Sequence, residues 1–261
     1  MEMEERKMPV LMGILNVTPD SFYDGGKHYS LDSAVRHAEK LILDGADIID
    51  IGGESTRPGS TPVSASEELK RTTEVVKRVC ALGALVSIDT TKPEVARDAL
   101  SLGASIINDV SGRVNPEMAA LAKEYGARLV ITHAPADIDE EINIVNDVLE
   151  FFEMALSDLS YLGFPPENII FDPGIGFGKT TEQNFDVLRN LYELKTLKIP
   201  ILLGASNKSY IKNTIGADEQ SLNIGNTITI AAALRDEIDM IRVHDVSHAK
   251  KVFKMCAKLD I

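Results

Sequence analysis

The chain is poor in cysteine and in long apolar runs. Its two cysteines, Cys80 and Cys256, lie in separate helix-like stretches and outside any CxxC or Cys/His cluster, so neither a disulfide framework nor a zinc site is expected. No apolar run approaches the roughly 18 residues of a membrane-spanning helix, and the charged residues 1–7 lack the apolar core of a signal peptide. We therefore expect a cytoplasmic protein.

Positive charge is also scarce, since 27 Lys and Arg residues stand against 40 Asp and Glu residues and the formal net charge is −13. The acids are spread along the chain rather than gathered in a block, which is typical of solvated helix faces. Duplex nucleic acid is therefore not an expected partner. A phosphate compound is still compatible with this charge, because local lysines, arginines and helix N-termini decide phosphate binding.

Eight short apolar runs alternate with eight segments in which apolar residues recur at three- and four-residue spacing. The runs are rich in Ile, Leu and Val with little apolar/polar alternation, as in parallel strands buried on both faces. These predicted strands cover residues 10–15, 47–51, 85–88, 105–107, 128–131, 169–171, 201–203 and 240–243. The predicted helices cover residues 33–43, 66–81, 93–100, 116–125, 140–162, 182–194, 221–237 and 246–258.

Glycine ends several of these helices just before the next strand, where a left-handed residue is expected. Strict alternation of strand and helix implies parallel strands with right-handed crossovers, and eight such units favour a single-domain (β/α)8 TIM barrel. The alternative is an open doubly wound sheet, which more often has a GxGxxG motif after its first strand, and none is present there. We expect a tail at residues 1–8 and the barrel at residues 9–261.

The loops that leave the predicted strands are rich in polar residues, whereas those that enter them are short and begin with glycine. The first two leaving loops contain the pairs Gly25-Gly26 and Gly52-Gly53, which are typical of mobile lids, although plain connections are the alternative. The strand-end residues expected to converge on one mouth are Asn16, Glu54, Asp89, Asn108, His133, Asp172, Lys208 and the pair Arg242 and His244.

The residue types at this mouth indicate two kinds of ligand group. Buried carboxylates and an amide suit a planar, nitrogen-rich ring, whose amine and N–H groups need acceptors sheltered from water. Arg242 and His244 alternate along a strand end, so both can face a phosphate or diphosphate. For Asp89 and Asp172 capping of the next helix is an equally good alternative, and an Arg-x-His pair can be a surface pair. Residues 172–179 do not have the spacing of a P-loop.

Seven motifs closely resemble those of the dihydropteroate synthase family, from about residue 10 to the C-terminus. They read LNVTPDSFYDGG from residue 15, DIGGESTRPG from 50, SIDT from 87, INDV from 107, FDPGIGFGK from 171, SNKS from 206 and RVHDV from 242. The first two together are highly specific, and the others follow in the family's order and spacing.

The resemblance implies a Mg²⁺-assisted transferase of folate biosynthesis and a homodimer. The family joins 6-hydroxymethyl-7,8-dihydropterin diphosphate to p-aminobenzoate, releasing 7,8-dihydropteroate and diphosphate. It implies a catalytic set of Asp89, Lys208, Arg242 and His244. It implies a pterin set of Asp89, Asn108, Asp172, Gly204 and Lys208. It implies a diphosphate set of Asn16, Arg242 and His244, with Asn16 also a Mg²⁺ ligand. It implies an arylamine set of Phe22, Thr56, Arg57, Pro58, Phe177 and Ser209.

Two positions depart from the family pattern. His133 is followed by Ala134 where the family usually reads His-Met-Arg-Gly, and Asn207 stands where arginine usually precedes the lysine. An elaborated arylamine of the methanopterin type is therefore an alternative to p-aminobenzoate. A pterin or methyl-folate binding barrel that acts as a methyltransferase or as a non-catalytic binder is a further alternative, which residues 54–59 and the Arg-x-His pair disfavour.

Overall fold

The computed structural model describes residues 8–18, 31–55 and 61–260. Its strands are β1 (Val10–Asn16), β2 (Ile48–Gly52), β3 (Leu85–Asp89), β4 (Ile106–Asp109), β5 (Arg128–Thr132), β6 (Ile169–Asp172), β7 (Leu202–Leu203) and β8 (Met240–Val243). Its helices are α1 (Leu31–Leu43), α2 (Ala65–Ala81), α3 (Pro93–Ser101), α4 (Pro116–Tyr125), α5 (Ile144–Tyr161), α6 (Thr181–Arg189), α7 (Leu191–Leu194), α8 (Ser209–Ile215), α9 (Glu219–Arg235) and α10 (Val246–Lys258).

All paired strands are parallel and lie in the order β6-β5-β4-β3-β2-β1-β8-β7. The two ends of this sheet meet through a parallel bridge between Phe171 and Ile201, beside a 2.9 Å bond from the Phe171 N–H to the Pro200 carbonyl. The sheet is therefore a nearly closed barrel, and the TIM-barrel prediction is confirmed. The open-sheet alternative is wrong, because strand order never reverses around the sheet.

Apolar residues fill two separate regions of the barrel. The larger lies between the strands and the surrounding helices. The smaller fills the barrel interior with seven buried side chains: Met12, Ile48, Ile106, Val130, Ile170, Leu202 and Met240. A barrel of eight strands is packed in this way rather than hollow, so a ligand can enter only above this apolar plug.

The helix ends follow local sequence signals. Gly45, Gly83, Gly103 and Gly126 have φ values of 100°, 80°, 111° and 66°, which confirms the predicted left-handed stops. The helix predicted to begin at residue 140 instead begins at Ile144, because the side chain of the preceding asparagine accepts bonds from two N–H groups of the first turn.

Two further helices differ from what the sequence predicted. The predicted helix 182–194 is interrupted at Asn190, whose backbone leaves the helical region (φ −118°, ψ 26°). The short helix α8 was not predicted, because its seven residues are too few for a periodic signal. The division into a tail at 1–8 and a barrel at 9–261 stays a prediction, since residues 1–7 lie outside the described ranges.

Both cysteines lie on helices, with Cys256 buried in α10 and Cys80 half-buried in α2, and the described residues contain no disulfide between them. Within the described part of the chain, no helix is both long enough and apolar enough to cross a bilayer.

Candidate active site

The polar residues of the mouth form one layer directly above the apolar plug. Side chains alternate between the two faces of a strand, so a residue two positions after a plug residue also points into the barrel. Ile48, Ile106, Ile170, Leu202 and Met240 belong to the plug. The residues two positions later are Asp50, Asn108, Asp172, Gly204 and Arg242. Asp89 joins them, because it is in register with Gly52 on one side and with Asn108 on the other.

Arg242 lies at the centre of this layer, between two carboxylates. Its Nε donates to Asp50 Oδ2 and its Nη2 donates to Asp89 Oδ2, each at 2.6 Å. Asn108 Nδ2 donates to the same oxygen of Asp50 at 3.2 Å. The guanidinium therefore neutralises charge inside the pocket, and its predicted contact with a diphosphate stays a prediction.

Asp50 was missed as a functional residue by the sequence reasoning. It has no exposed surface, and it contacts both Arg242 and Asn108. A signal was present, because an acid inside an otherwise apolar strand is costly to bury unless it binds a partner.

Burial perturbs the pKa values of three groups of this layer, Asp89, Asp172 and Arg242. Burial raises the pKa of Asp89 to about 7 despite the opposing effect of Arg242, and Asp50 adds to the rise. Burial also raises the pKa of Asp172, against the Gly174 N–H bond and the charge of Lys208. For Arg242, burial disfavours the charged form, but Asp50 and Asp89 outweigh it and raise its pKa. Such perturbed groups in a cleft are typical of functional sites.

Asp172 is held by its own loop and faces Gly204. Its Oδ1 accepts a 2.7 Å bond from the Gly174 N–H. α6 is capped by Thr180 and α3 begins after Lys92, so neither Asp172 nor Asp89 caps the next helix, and that alternative is wrong. The second oxygen of Asp172 is directed across the pocket towards Gly204.

We expect Gly204→Ala to weaken pterin binding by about tenfold or more. The added methyl group would lie 3.2 Å from Asp172 Oδ2, closer than almost all contacts of real Cβ atoms, so the carboxylate would have to move. Calorimetric titration with a dihydropterin measures the change. Gly83→Ala is the control for binding, because its Cβ would have no neighbour within 4 Å and it follows α2, outside the pocket. Its φ of 80° is unfavourable for alanine, so we expect this variant to lose stability but not pterin affinity. Equal affinities in both variants would contradict the placement of the pocket.

Lys208 enters the mouth from the loop after β7. Its ammonium lies 4.3 Å from the centre of the Phe177 ring, a cation–π contact. Its aliphatic chain passes close to Gly176, where a Cβ would lie 3.0 Å from Lys208 Cδ. Ser209, the next residue, is exposed at the start of α8. The structure therefore brings together Phe177, Lys208 and Ser209 from two neighbouring loops.

His244 follows the end of β8 and is half-buried at the same mouth. Its Nδ1 lies 3.1 Å from Ser206 Oγ, which joins the ends of two adjacent strands. Asn16 occupies the corresponding end of β1, with its amide oxygen 3.7 Å from the Cβ position of Gly52. The predicted arylamine residues Phe22, Thr56, Arg57 and Pro58 lie outside the described residues.

Two residues predicted to join the mouth point elsewhere. The ring of His133 contacts α5, where its Nε2 lies 2.9 Å from Asp147 Oδ2 and its ring packs edge-on against Phe151. Burial lowers the pKa of His133 to about 4. Glu54 binds Lys92, which also binds the fully buried Glu68 of α2. Both side chains are directed to the helix layer, so the prediction that they line the mouth was wrong.

The glycine pair at 52–53 serves close packing. A Cβ on Gly53 would lie 2.7 Å from Thr72 and 2.8 Å from Glu68, both on α2. Arg71 Nη1 also donates to the Gly53 carbonyl at 2.9 Å. The start of this loop is therefore anchored to α2, and movement of the loop as a lid would have to begin after Gly53. The pair Gly25-Gly26 lies outside the described residues.

Several buried oxygens in the polar layer accept or donate no hydrogen bond within the described part of the chain. They are Asp50 Oδ1, Ser87 Oγ, Asp89 Oδ1, Asn108 Oδ1 and Thr132 Oγ1. Buried polar atoms nearly always have partners, and unsatisfied ones each cost about 1–3 kcal/mol. Three other buried atoms of the described residues also lack a partner but lie outside this layer: Glu68 Oε1, Asp109 Oδ2 and His133 Nδ1. The five oxygens of the layer are suited to a polar ligand with several N–H donors.

Comparison with known proteins agrees with this geometry. The family described as "Pterin binding enzyme" matches residues 12–244. The dihydropteroate synthase of Synechocystis sp. is 40% identical over 262 residues, covering 97% of this chain and 91% of that protein. The chain belongs to the dihydropteroate synthase family of pterin-binding enzymes.

Solved structures of the dihydropteroate synthase family share the whole fold. The Clostridium difficile enzyme, crystallised in the presence of pteroic acid, has a TM-score of 0.92 and 41% identity, covering 98% of each chain. The Xanthomonas albilineans enzyme with 4-aminobenzoic acid has a TM-score of 0.91 and 37% identity, covering 97% of this chain and 93% of the other.

At the two positions where this chain departs from the family pattern, the local structure is tightly held. A Cβ on Gly112 would lie 2.2 Å from the Ala134 carbonyl oxygen, so the loop after β5 lies directly against the loop after β4. Asn207 has a left-handed φ of 58°, which asparagine tolerates well. Its Oδ1 accepts from Asn226 Nδ2 at 2.8 Å, and its N–H donates to Asn226 Oδ1 at 3.0 Å.

Proposed function

We propose that this transferase condenses 6-hydroxymethyl-7,8-dihydropterin diphosphate with p-aminobenzoate, giving 7,8-dihydropteroate and diphosphate. The observation that carries the proposal is the layer of buried, unsatisfied oxygens above the apolar plug, which matches a flat ring rich in N–H donors. Membership of the dihydropteroate synthase family and the solved relatives with pteroic acid and 4-aminobenzoic acid support the same interpretation.

The pterin ring would lie on the plug and bind the side chains of the polar layer. Asp89, Asn108 and Asp172 would accept its amine and N–H groups, and Lys208 would donate to its carbonyl oxygen. Gly204 would leave space for the ring beside Asp172. Burial makes each of these bonds stronger than in water, because no solvent competes for the same groups.

The diphosphate would extend from the pterin towards the mouth, where Asn16, Arg242 and His244 lie. A guanidinium has five N–H donors. Two of those of Arg242 bind Asp50 and Asp89, so the same group can contact both the pocket and an anion above it. Arg242 would in this way link binding of the ring to binding of the leaving group.

Mg²⁺ fits this mouth together with a diphosphate. Among the described residues no group of three or more His, Cys, Asp or Glu could hold a metal ion. Mg²⁺ is commonly held by one or two protein oxygens with substrate phosphates and water, so the amide oxygen of Asn16 suffices as a protein ligand. Bound there, Mg²⁺ would neutralise charge on the diphosphate as it leaves.

The chemical step requires a stabilised leaving group more than a nucleophilic side chain. The C–O bond between the pterin methylene carbon and the diphosphate breaks, and its electron pair leaves with the diphosphate. The arylamine nitrogen then forms the new C–N bond, and its extra proton passes to the released diphosphate or to solvent water. Asp89 and Asp172 would stabilise the electron-deficient ring, while Arg242 and His244 would stabilise the departing anion. A neutral aniline nitrogen is already nucleophilic, so no strong general base is needed.

The arylamine would bind between the loops that leave the barrel. Phe177 is half-buried beside Lys208, and Ser209 is exposed next to it, which supports an aromatic amine stacking at this edge. We propose that Phe22, Thr56, Arg57 and Pro58 complete this subsite. Closure of the first two loops would exclude water, which otherwise competes with the amine for the pterin carbon.

Diphosphate release tests the proposal directly. Purified protein is mixed with Mg²⁺ and dihydropterin diphosphate, and release is followed with p-aminobenzoate, with a ribosyl-linked arylamine and with no amine. We expect release that depends on p-aminobenzoate and stops on chelation of Mg²⁺. Release with the ribosyl-linked amine alone would assign the elaborated substrate. Pterin binding without release in any mixture would make the chain a non-catalytic binder.

Pterin affinity is expected to fall as the pH is lowered through about 7. The charged form of Asp89, whose pKa burial raises to about 7, is the better acceptor, and it is lost below that pH. The stability of the free protein should change in the opposite sense. The folded state binds this proton more tightly than the unfolded chain, so this carboxyl contributes stability at low pH that is lost as the pH rises through about 7.

Calorimetric titration of the pterin and urea unfolding, both between pH 5.5 and 8.5, measure the two trends. Asp89→Asn is the control for the unfolding series, because it removes the titrating group and should flatten that part of the curve. A wild-type pterin affinity that is constant or rises on acidification would contradict the assignment.

We also propose that the chain forms a homodimer. Ile224 and Ile228 lie one turn apart on α9, with 46% and 64% of their surfaces exposed. An apolar stripe of this kind on a helix suits a second copy of the same helix. Sedimentation velocity should give twice the mass of one chain.

A further inference from the structure

A buried lysine outside the substrate pocket ties together the loop after β6. Lys179 is only 7% exposed. Its ammonium donates to three backbone carbonyls, those of His133 and Gly174 at 3.0 Å and that of Phe177 at 3.2 Å. One acceptor lies directly after β5 and two lie in the loop at residues 173–178, so a single side chain joins the end of one strand to the loop that leaves the next.

Burial of the Lys179 ammonium disfavours its charged form. Burial lowers the pKa of Lys179 to about 7, and the nearby charge of Lys208 acts in the same direction, while Asp172 and Asp147 oppose it. The three hydrogen bonds go to neutral carbonyls, so they offset the lost hydration without an ion pair. A methionine would fill most of the same space without this cost, which argues for a role beyond packing.

The loop held by Lys179 has a shape that few sequences can adopt. Gly174, Gly176 and Gly178 all have left-handed φ values, of 68°, 83° and 51°. These turns direct two carbonyls inward to the ammonium. Asn184 of α6 adds an outer bond, its Oδ1 accepting from the Gly176 N–H at 2.6 Å. The ammonium is therefore the centre around which the loop is folded.

Two residues of this loop form the wall against which Lys208 lies. The backbone of Gly176 lies close against the aliphatic chain of Lys208. A Cβ added to Gly176 would lie only 3.0 Å from Lys208 Cδ. The Phe177 ring lies 4.3 Å from the Lys208 ammonium. Lysine has four rotatable side-chain bonds, and a wall on one side restricts the orientations of its ammonium.

We propose that Lys179 is a positioning residue for the pterin site: it holds Gly176 and Phe177 in place, and through them directs Lys208 to its ligand. The inference rests on the proposed pterin site, because Lys208 is taken as the donor to the pterin carbonyl. The ammonium of Lys179 is directed to three backbone carbonyls, which is why the role proposed for it is positioning rather than catalysis. A lysine that only stabilised the barrel would not act through Lys208, and this difference can be measured.

A double-mutant cycle on pterin affinity makes the distinction. Lys179→Met keeps an unbranched side chain one atom shorter and removes the ammonium. Lys208→Ala removes the side chain through which Lys179 is proposed to act. Isothermal titration with a dihydropterin gives the dissociation constants of wild type, both single variants and the double variant. Lys195→Met is the control, because Lys195 binds Asp239 at 2.7 Å beside the entry to β7, away from the mouth.

We expect Lys179→Met to weaken pterin binding about tenfold in the wild-type background and less than twofold in the Lys208→Ala background. The Lys195→Met control should stay within twofold of wild type. An equal loss in both backgrounds, or no loss in a folded Lys179→Met variant, would overturn the proposal. If wild type itself bound no pterin, the proposed function would fail instead.

If Lys179→Met does not fold, Phe177→Leu provides a second test of whether the loop acts through Lys208. It removes the ring beside Lys208 but leaves all three carbonyls that bind Lys179, because they belong to the backbone. We expect a several-fold loss of pterin affinity that again disappears in the Lys208→Ala background. Additive losses would show that the loop does not act through Lys208.

Discussion

Asp172→Asn is expected to weaken pterin binding by about a thousandfold while leaving the fold at least as stable as wild type. The amide retains an oxygen for the 2.7 Å bond from the Gly174 N–H. It replaces the second carboxylate oxygen, which faces Gly204, by an NH2 group that would meet the N–H donors of the ring. Sites built around hydrogen bonds discriminate strongly against a partner that cannot form them.

The free energy of unfolding of Asp172→Asn should not fall together with its pterin affinity. Burial raises the pKa of Asp172, which means that the charged carboxylate is disfavoured in the free protein. A neutral amide removes that cost. Urea unfolding at pH 8 should therefore give a free energy of unfolding equal to or above that of wild type.

The matched control is Asp218→Asn. Asp218 caps α9 by accepting a 3.0 Å bond from the Ser221 N–H on an exposed surface, so the same chemical change there should leave pterin affinity unaltered. An Asp172→Asn variant whose dissociation constant stayed within tenfold of wild type would show that this carboxyl does not accept bonds from the ring.

Arg242→Met is expected to destabilise the free protein by about 3–5 kcal/mol at pH 8. The substitution removes the guanidinium that binds Asp50 and Asp89 and leaves two buried carboxylates without a counter-charge between them. The loss should be smaller at pH 5.5. Without Arg242 the pKa of Asp89 would rise further, so protonation can relieve part of the repulsion at that pH.

Two comparisons separate this effect from the general loss of an arginine. Arg78→Met removes a 45% exposed arginine that binds the 67% exposed Asp32 at 3.0 Å, and exposed pairs of this kind contribute at most about 1 kcal/mol. Adding Asp50→Asn to Arg242→Met removes one of the stranded charges and should restore at least half of the lost stability. Urea unfolding at both pH values measures all four proteins. An Arg242→Met loss no larger than that of Arg78→Met would contradict the buried-charge account.

Much of the fold could be predicted because it depends on local chemistry. The eight apolar runs, the helical spacing between them and the glycine stops are all properties of short segments, and each was confirmed by the structure. The errors were also local in origin. Asn143 and Asn190 altered helix limits through their own backbone conformations and side-chain bonds, which a periodic pattern does not record.

Part of the site was predictable for a simpler reason, namely that parallel strands bring their carboxyl ends to one mouth. The placement of Asn16, Asp89, Asn108, Asp172 and Arg242 at that mouth needed only the end of each strand. The same rule failed for His133 and Glu54. His133 follows a strand buried on both faces, whose apolar sequence does not tell which alternate residues face the barrel interior. Glu54 lies two residues beyond the end of β2, where the alternation of a strand no longer applies.

The amino-acid sequence by itself therefore determined the alternation of strands and helices, the barrel and the set of polar strand ends, since these depend on neighbours in the chain. Only the tertiary structure decided which face of each strand looks inward, because that choice depends on strand register around the closed sheet. It placed Asp50 beside Arg242 and turned the ring of His133 towards α5. It also brought the carbonyl of His133 to the ammonium of Lys179, a contact between residues 46 positions apart that no local pattern records.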